Sequence, residues 1–305
     1  MTDPRLSRAL DFIKAHQNPD GGWGYEPGRR SLVEPTSFCV LALLARGESA
    51  AAGRGSGFLR SCVKSSGAVG IDPKDPEGSW MSYAALLAFH AAGAAEDERR
   101  LKGWILSFED ASGRFTKDEI AIVASRYRYD ASIQGWAWTP RTTAWVEPTA
   151  LVILALIRTG VASTEKRIKS GIDLLIDRKV PSGGWNFGNP YSKSYELEAS
   201  TMSTALALAA LGAAGVPKSR PAVAAGLGFL ERALAGDVST ASLAWCLLAL
   251  RGYPGAEAAI PGLAGRLARL QTEDGAFRGN LFETALAFLV LSDAPILGPS
   301  PREAP

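Results

Sequence analysis

The chain has 305 residues, of which 47% are apolar and 21% charged, a balance that supports a large core and excludes global disorder. Thirty-three basic residues against thirty-one acidic ones give a net charge of +2, with no electrostatic footprint for nucleic acid and no Lys/Arg run for an anionic membrane. The three cysteines, Cys39, Cys62 and Cys246, have no Cys-x-x-Cys spacing, which argues against a disulfide framework and for a reducing compartment. The start, MTDPRLSRAL, lacks the charged-then-apolar layout of a signal peptide. No stretch reaches the roughly 20 apolar residues of a membrane span. A cytoplasmic protein is expected.

In chain order, one three-part unit recurs. RALDFIKAH reads as a first helix, QNPDGGW as a Gly-rich turn ending at Trp23, and SFCVLALLA as a second, apolar helix. GFLRSCV at Gly57 and SYAALLAFHAA from Ser82 repeat the helix pair. GWILSF at Gly103, a turn SGRF at Phe115 and ALVILALI follow. Next come GIDLLI at Gly171, PSGGW at Trp185 and TALALAALGAA. GLGFLERAL at Gly226 precedes ASLAWCLLAL, and GRLARL at Gly265, QTEDGAF at Phe277 and TALAFLVL complete the series. The second helices are expected to open near Thr36, Ser82, Thr149, Thr204, Thr240 and Thr284, at spacings of 46, 67, 55, 36 and 44 residues, as for two-helix repeats. Gly47, Gly93, Gly160 and Gly215 read as left-handed C-terminal caps.

The second helices are apolar almost all round and must be buried on most faces, whereas the first are amphipathic. The expectation is an all-α fold: one α/α toroid of about six helical hairpins over residues 1–292, with an inner and an outer ring of helices. The Pro-rich tail 293–305 is expected to fray. No segment alternates with period two, so sheet should be negligible.

Gln-x-x-x-Gly-Gly-Trp at Gln17–Trp23 resembles the QW motif of squalene–hopene cyclases and related terpenoid cyclases. The Gly-rich turn followed by an Ala/Leu helix is also similar to the β subunits of protein prenyltransferases. The resemblance covers about residues 6–292. It implies a prenyltransferase and squalene oxidase repeat fold and an isoprenoid as substrate. It also implies a catalytic acid just before a Thr-Ala helix opening, where the family carries Asp-x-Asp-Asp. Glu147 stands at the middle-acid position, flanked by Trp145 and Pro148, and Glu34 stands likewise in Leu32-Val33-Glu34-Pro35-Thr36. A prenyltransferase zinc site would need Asp, Cys and His together. Here Thr36 stands where the thiolate would be, and His16 and His90 are the only histidines. No metal and no cofactor are expected, and neither a phosphate loop nor a dinucleotide fingerprint is present.

Two readings of the paired glutamates stay open. In Glu-Pro-Thr, proline suits a first helical turn and the acid complements the positive helix end, so Glu34 and Glu147 would simply stabilise helix starts. Alternatively both face a central cavity as catalytic acids, with Trp80, Met202, Val238 and Phe282 at the same register. The third unit is longer, inserting TKDEIAIVASRYRYDASIQG before Trp136, Trp138, Arg141 and Trp145. An aromatic entrance of that kind could hold an isoprenoid tail or stabilise a cation, with Arg29, Arg30 or Arg141 for a diphosphate. Equally, Trp136 and Trp138 could form a second structural turn. The expected partner is an isoprenoid or similar hydrophobic molecule, bound or converted. The alternative is a non-catalytic scaffold that binds protein or lipid.

Overall fold

A computed structural model of the chain describes residues 3–297. In chain order the amphipathic helices α1 (Pro4–Ala15), α3 (Ser49–Ser61), α5 (Ala95–Leu106), α8 (Lys166–Asp177), α10 (Pro221–Ala233) and α12 (Ile260–Arg269) alternate with the apolar helices α2 (Val33–Leu44), α4 (Ser82–Ala91), α7 (Val146–Arg158), α9 (Thr201–Ala213), α11 (Thr240–Arg251) and α13 (Leu281–Leu291). The insertion before Trp136 forms one more helix, α6 (Lys117–Tyr127), opened by a Thr116/Glu119 capping box and burying none of its residues. The only sheet among the described residues is a hairpin of two-residue strands, β1 (Tyr191–Ser192) and β2 (Tyr195–Glu196). Burial follows composition: α2 buries every residue from Val33 to Leu43, whereas α5 buries only Leu101 and Ile105.

The chain divides into two compact units. One runs up to Leu106 and resumes at Ala259; the other is Ser107–Ala258. In the first unit α13, α2 and α4 lie side by side, with α1, α3, α5 and α12 packed against them. Its last hairpin docks on its first: Gln271 Nε2 donates to Arg5 O at 2.9 Å, and Leu281 N to Tyr25 O at 2.7 Å. Asp293 to Leu297 turn back on this unit, with Ala294 and Leu297 buried; the rest of the tail lies outside the described residues. In the second unit α7, α9 and α11 lie side by side, α8 and α10 pack on them, and α6 packs on β1.

The expected C-terminal glycines are in place. Gly47, Gly93, Gly160 and Gly215 all have positive φ, and the residue after each closes a six-residue bond, such as Glu48 N to Leu43 O at 3.0 Å. In the last repeat Asp293 does the same, and Ala294 N reaches Leu289 O at 3.0 Å.

Three expectations are corrected. Ser82 and Thr240 do open α4 and α11, but Thr36, Thr149, Thr204 and Thr284 lie one turn into their helices; α2, for example, is capped at Leu32. Thr36 Oγ1 accepts from Trp23 N at 2.9 Å and donates back to Trp23 O at 3.2 Å. Thr149 holds Trp136 in the same double bond and Thr204 holds Trp185, while Thr284 accepts from Phe277 N. Ser82 binds Val69 O, which locates the second turn at Gly67–Gly70. Thr240 follows too short a loop for such a clamp, and its Oγ1 is buried with no hydrogen-bond partner among the described residues. Second, the third turn centres on Trp136 rather than Phe115, which follows a short 3-10 turn. Third, the glycines of the first helices sit inside them rather than at their starts. Gly55, Gly171 and Gly226 make room for the turn tryptophans, since a Cβ on them would lie 2.8, 2.8 and 2.5 Å from the rings of Trp23, Trp136 and Trp185.

The turn therefore works as a staple between repeats. Trp23 Nε1 donates to Ile13 O and its ring fills the notch at Gly55 of the next amphipathic helix. Gln17 Nε2 bridges Gly21 O and Ala51 O, and Gln271 bridges Gly275 O and Arg5 O. Gly21 needs its left-handed φ and its missing side chain together, because a Cβ there would meet Arg54 O at 2.6 Å.

Candidate functional site: two glutamates in different surroundings

Glu34 is the second residue of α2 and is only 6% exposed. Its Oε1 accepts from the Tyr83 hydroxyl at 2.6 Å, and its Oε2 accepts from the Tyr25 hydroxyl. Tyr83 is the second residue of α4 and is fully buried. Tyr25 comes from the turn, and a backbone bond places it there. The residue two after Trp23, Val69 and Trp185 gives its carbonyl to the first amide of a neighbouring apolar helix: Tyr25 O to Leu281 N, Ile71 O to Val33 N, Phe187 O to Val146 N. This satisfies an otherwise orphaned helix amide and fixes Tyr25 beside the start of α13.

Aromatic rings surround this carboxyl group. Trp80 stacks on Tyr83 with centroids 5.9 Å apart. Phe282 meets Phe38 edge-on at 4.8 Å and Tyr25 at 6.1 Å, and Phe38 meets Tyr83 at 6.4 Å. Burial, and then the Glu34 charge, push both phenols well above the usual tyrosine range, so they stay neutral donors. Of the residues singled out in the sequence, the structure thus gathers Glu34, Trp80 and Phe282 into one cluster. Tyr25, Phe38 and Tyr83 were missed as members.

Glu147, in the other unit, occupies the matching place in α7 with different company. Its Oε1 accepts from Ser203 Oγ at 2.9 Å, and Ser203 Oγ accepts in turn from Ser200 at the same distance. It is half-buried. Burial raises its carboxyl above the ordinary range, and the Ser203 bond partly offsets this. Trp145 caps α7 and covers Gly188, where a Cβ would be 3.2 Å from its ring. Met202 is half-buried beside Ser203 at the start of α9.

The other sequence candidates sit on turns, and Trp136 O accepts from Trp145 N at 3.1 Å. Trp136 is 2% exposed, clamped by Thr149 and covered by the Arg167 guanidinium at 4.4 Å, so it is part of the packed wall. Trp138 is half-buried on the same turn, and Arg141 is exposed with φ of 64°. Arg29 and Arg30 line an open cleft of about 510 Å³ with Asn18, Asp20, Asp72 and Lys74, where Arg30 pairs with Asp72 at 2.9 Å.

No protein-family model matches the sequence, and no curated protein matches it. Solved structures do match over almost the whole chain. A protein from Actinoplanes has a TM-score of 0.64 at 18% identity, covering 95% of this chain and 98% of its own. A variant of the type II terpene cyclase MstE from Scytonema, in complex with its substrate geranylgeranyl dihydroxybenzoate, has a TM-score of 0.65 at 17% identity, covering 96% and 97%. A novel alpha-amylase from Clostridium perfringens reaches 0.65 at 10% identity, covering 95% and 98%. Among the described residues no helix is long and apolar enough to cross a membrane. The chain has an all-α fold of helical hairpins, and that fold is terpenoid-cyclase-like.

Proposed function

We propose that the protein binds a prenyl-type hydrophobic molecule at the aromatic cluster around Glu34 and converts it by acid-initiated cyclisation, with Glu34 as the acid. The reading is carried by one observation: a buried carboxyl group whose two oxygens each meet a phenol, inside a set of four further or shared aromatic faces from Phe38, Trp80, Tyr83 and Phe282. In this reading Glu34 carries its proton when the substrate binds. When the proton leaves for an alkene carbon, the Tyr25 and Tyr83 hydroxyls take up the new negative charge by hydrogen bonds that strengthen with it. The resulting carbocation is stabilised by aromatic faces, each worth about 0.5–2 kcal/mol. The paired tyrosines would do here what neighbouring acids do in Asp-x-Asp-Asp.

The likeness to MstE, bound to a geranylgeranylated substrate in one structure and to merosterolic acid A in another, supports a prenyl chain as the ligand class. Glu147, with a single hydroxyl donor and a raised affinity for its proton, is proposed as a second acid in its own unit, with Trp145 and Met202 beside it and Trp138 and Arg141 on the neighbouring turn.

Native mass spectrometry after incubation with farnesyl diphosphate, geranylgeranyl diphosphate and squalene, followed by product analysis by gas chromatography, tests this reading. The expected result is a retained prenyl ligand and a cyclic product that Glu34→Gln abolishes without abolishing binding. Retention without product would make the protein a carrier. Neither ligand nor product would overturn the reading in favour of a scaffold.

A further inference from the structure

The two phenols that hold Glu34 differ in a way that suggests a division of labour. Tyr83 is 1% exposed, within α4, and stacked under Trp80. Tyr25 is half-buried and sits immediately before the exposed run Glu26–Arg30. Of the two tyrosines on the carboxyl group, only Tyr25 is partly exposed to solvent.

We propose that Tyr25 is the proton port of Glu34, passing a solvent proton to Oε2, while Tyr83 is a fixed donor that positions Oε1. The proposal rests on the reading of Glu34 as an acid that must be reloaded after each turnover. In the transfer, the Tyr25 O–H bond breaks as its proton joins Oε2, and a hydronium ion of the solvent gives a proton to the same phenol oxygen and leaves as water. Tyr25 is restored, Glu34 becomes neutral, and no electrons change hands. Burial disfavours a free phenolate at either tyrosine, so the two proton movements are coupled rather than sequential. Glu34 comes from α2 and Tyr83 from α4; α13 contributes the apolar Phe282, followed by Glu283, and the turn contributes Tyr25 with exposed Glu26 beyond it. The charge effects on the two phenols come from Glu34 and, for Tyr83, also from Tyr25.

The test follows the infrared carboxyl band of Glu34 after a rapid drop in pH, assigned by its absence in Glu34→Gln. Tyr25→Phe and Tyr83→Phe both keep the ring and remove one donor to the carboxylate, so both should raise the titration midpoint. Only Tyr25→Phe should slow the appearance of the band, by about tenfold or more, the scale on which a positioned proton donor acts. Equal slowing in both variants, slowing in Tyr83→Phe alone, or no slowing in either would overturn the proposal. The band reports on Glu34 whether or not any substrate turns over. A failed port and a failed cyclase reading therefore give different results.

Discussion

Glu34 and Glu147 stand in the same tetrapeptide, Val-Glu-Pro-Thr, at the same place in an apolar helix, yet their chemistry differs. The difference comes from partners far along the chain: Tyr83 lies 49 residues from Glu34, and Ser203 lies 56 residues from Glu147. The sequence marked both acids as candidates, but no local signal could tell a phenol-held carboxyl from a serine-held one. Tyr25 was legible in principle, because an aromatic recurs two residues after the turn tryptophan in Trp23-Gly-Tyr25, Trp136-Ala-Trp138 and Trp185-Asn-Phe187. Its meaning depends on the cap that its carbonyl gives to α13, a contact between the two ends of the chain.

At this scale Glu147 makes a pH prediction. Its affinity for a proton is higher in the folded state than in the unfolded one, so folding favours the protonated form. The stability cost of ionising it is absent below the ordinary glutamate range, about pH 4, grows as pH rises through the folded pKa, and is constant above it. Glu147→Gln keeps an acceptor for Ser203 and removes the charge. The variant should match the wild type in melting temperature at acidic pH and exceed it at neutral pH. A melting temperature below that of the wild type at neutral pH would show that the carboxylate form is the stabilised one.

At the scale of the element, the apolar helices, the amphipathic helices and the glycine caps were readable from period and composition, because they depend on neighbours within one or two turns. The placement of threonine and glycine was misread for the opposite reason. Both residue types commonly mark helix ends, but here Thr36, Thr149 and Thr204 clamp a turn 13 or 19 residues back, and Gly55, Gly171 and Gly226 are notches for a ring from another segment. Two glycines on amphipathic helices separate these roles. At Gly226 a Cβ would lie 2.5 Å from Trp185, whereas at Gly57 it would meet nothing within 4 Å. Gly226→Ala should therefore lose about 1–3 kcal/mol through overpacking, and Gly57→Ala should gain up to about 1 kcal/mol of helix propensity. Denaturant midpoints decide this. Equal shifts in the two variants would mean that the notch does not constrain Trp185.

At the scale of the molecule, six repeats were legible because each carries a turn or a cap that can be aligned with the others. The docking of the last hairpin on the first is seen in Gln271, Arg5, Leu281 and Tyr25. Fold alone does not choose the chemistry, because the same architecture serves a terpene cyclase and an alpha-amylase. The choice rests on the carboxyl group and its aromatic surroundings. The most direct measurement is turnover of a prenyl substrate in deuterium oxide, with mass analysis of the product. If Glu34 starts the reaction by protonating an alkene, the wild-type product carries one deuterium from solvent at the attacked carbon, and Glu34→Gln yields none of it. A cyclic product without solvent deuterium, or one formed by Glu34→Gln at the wild-type rate, would contradict the account.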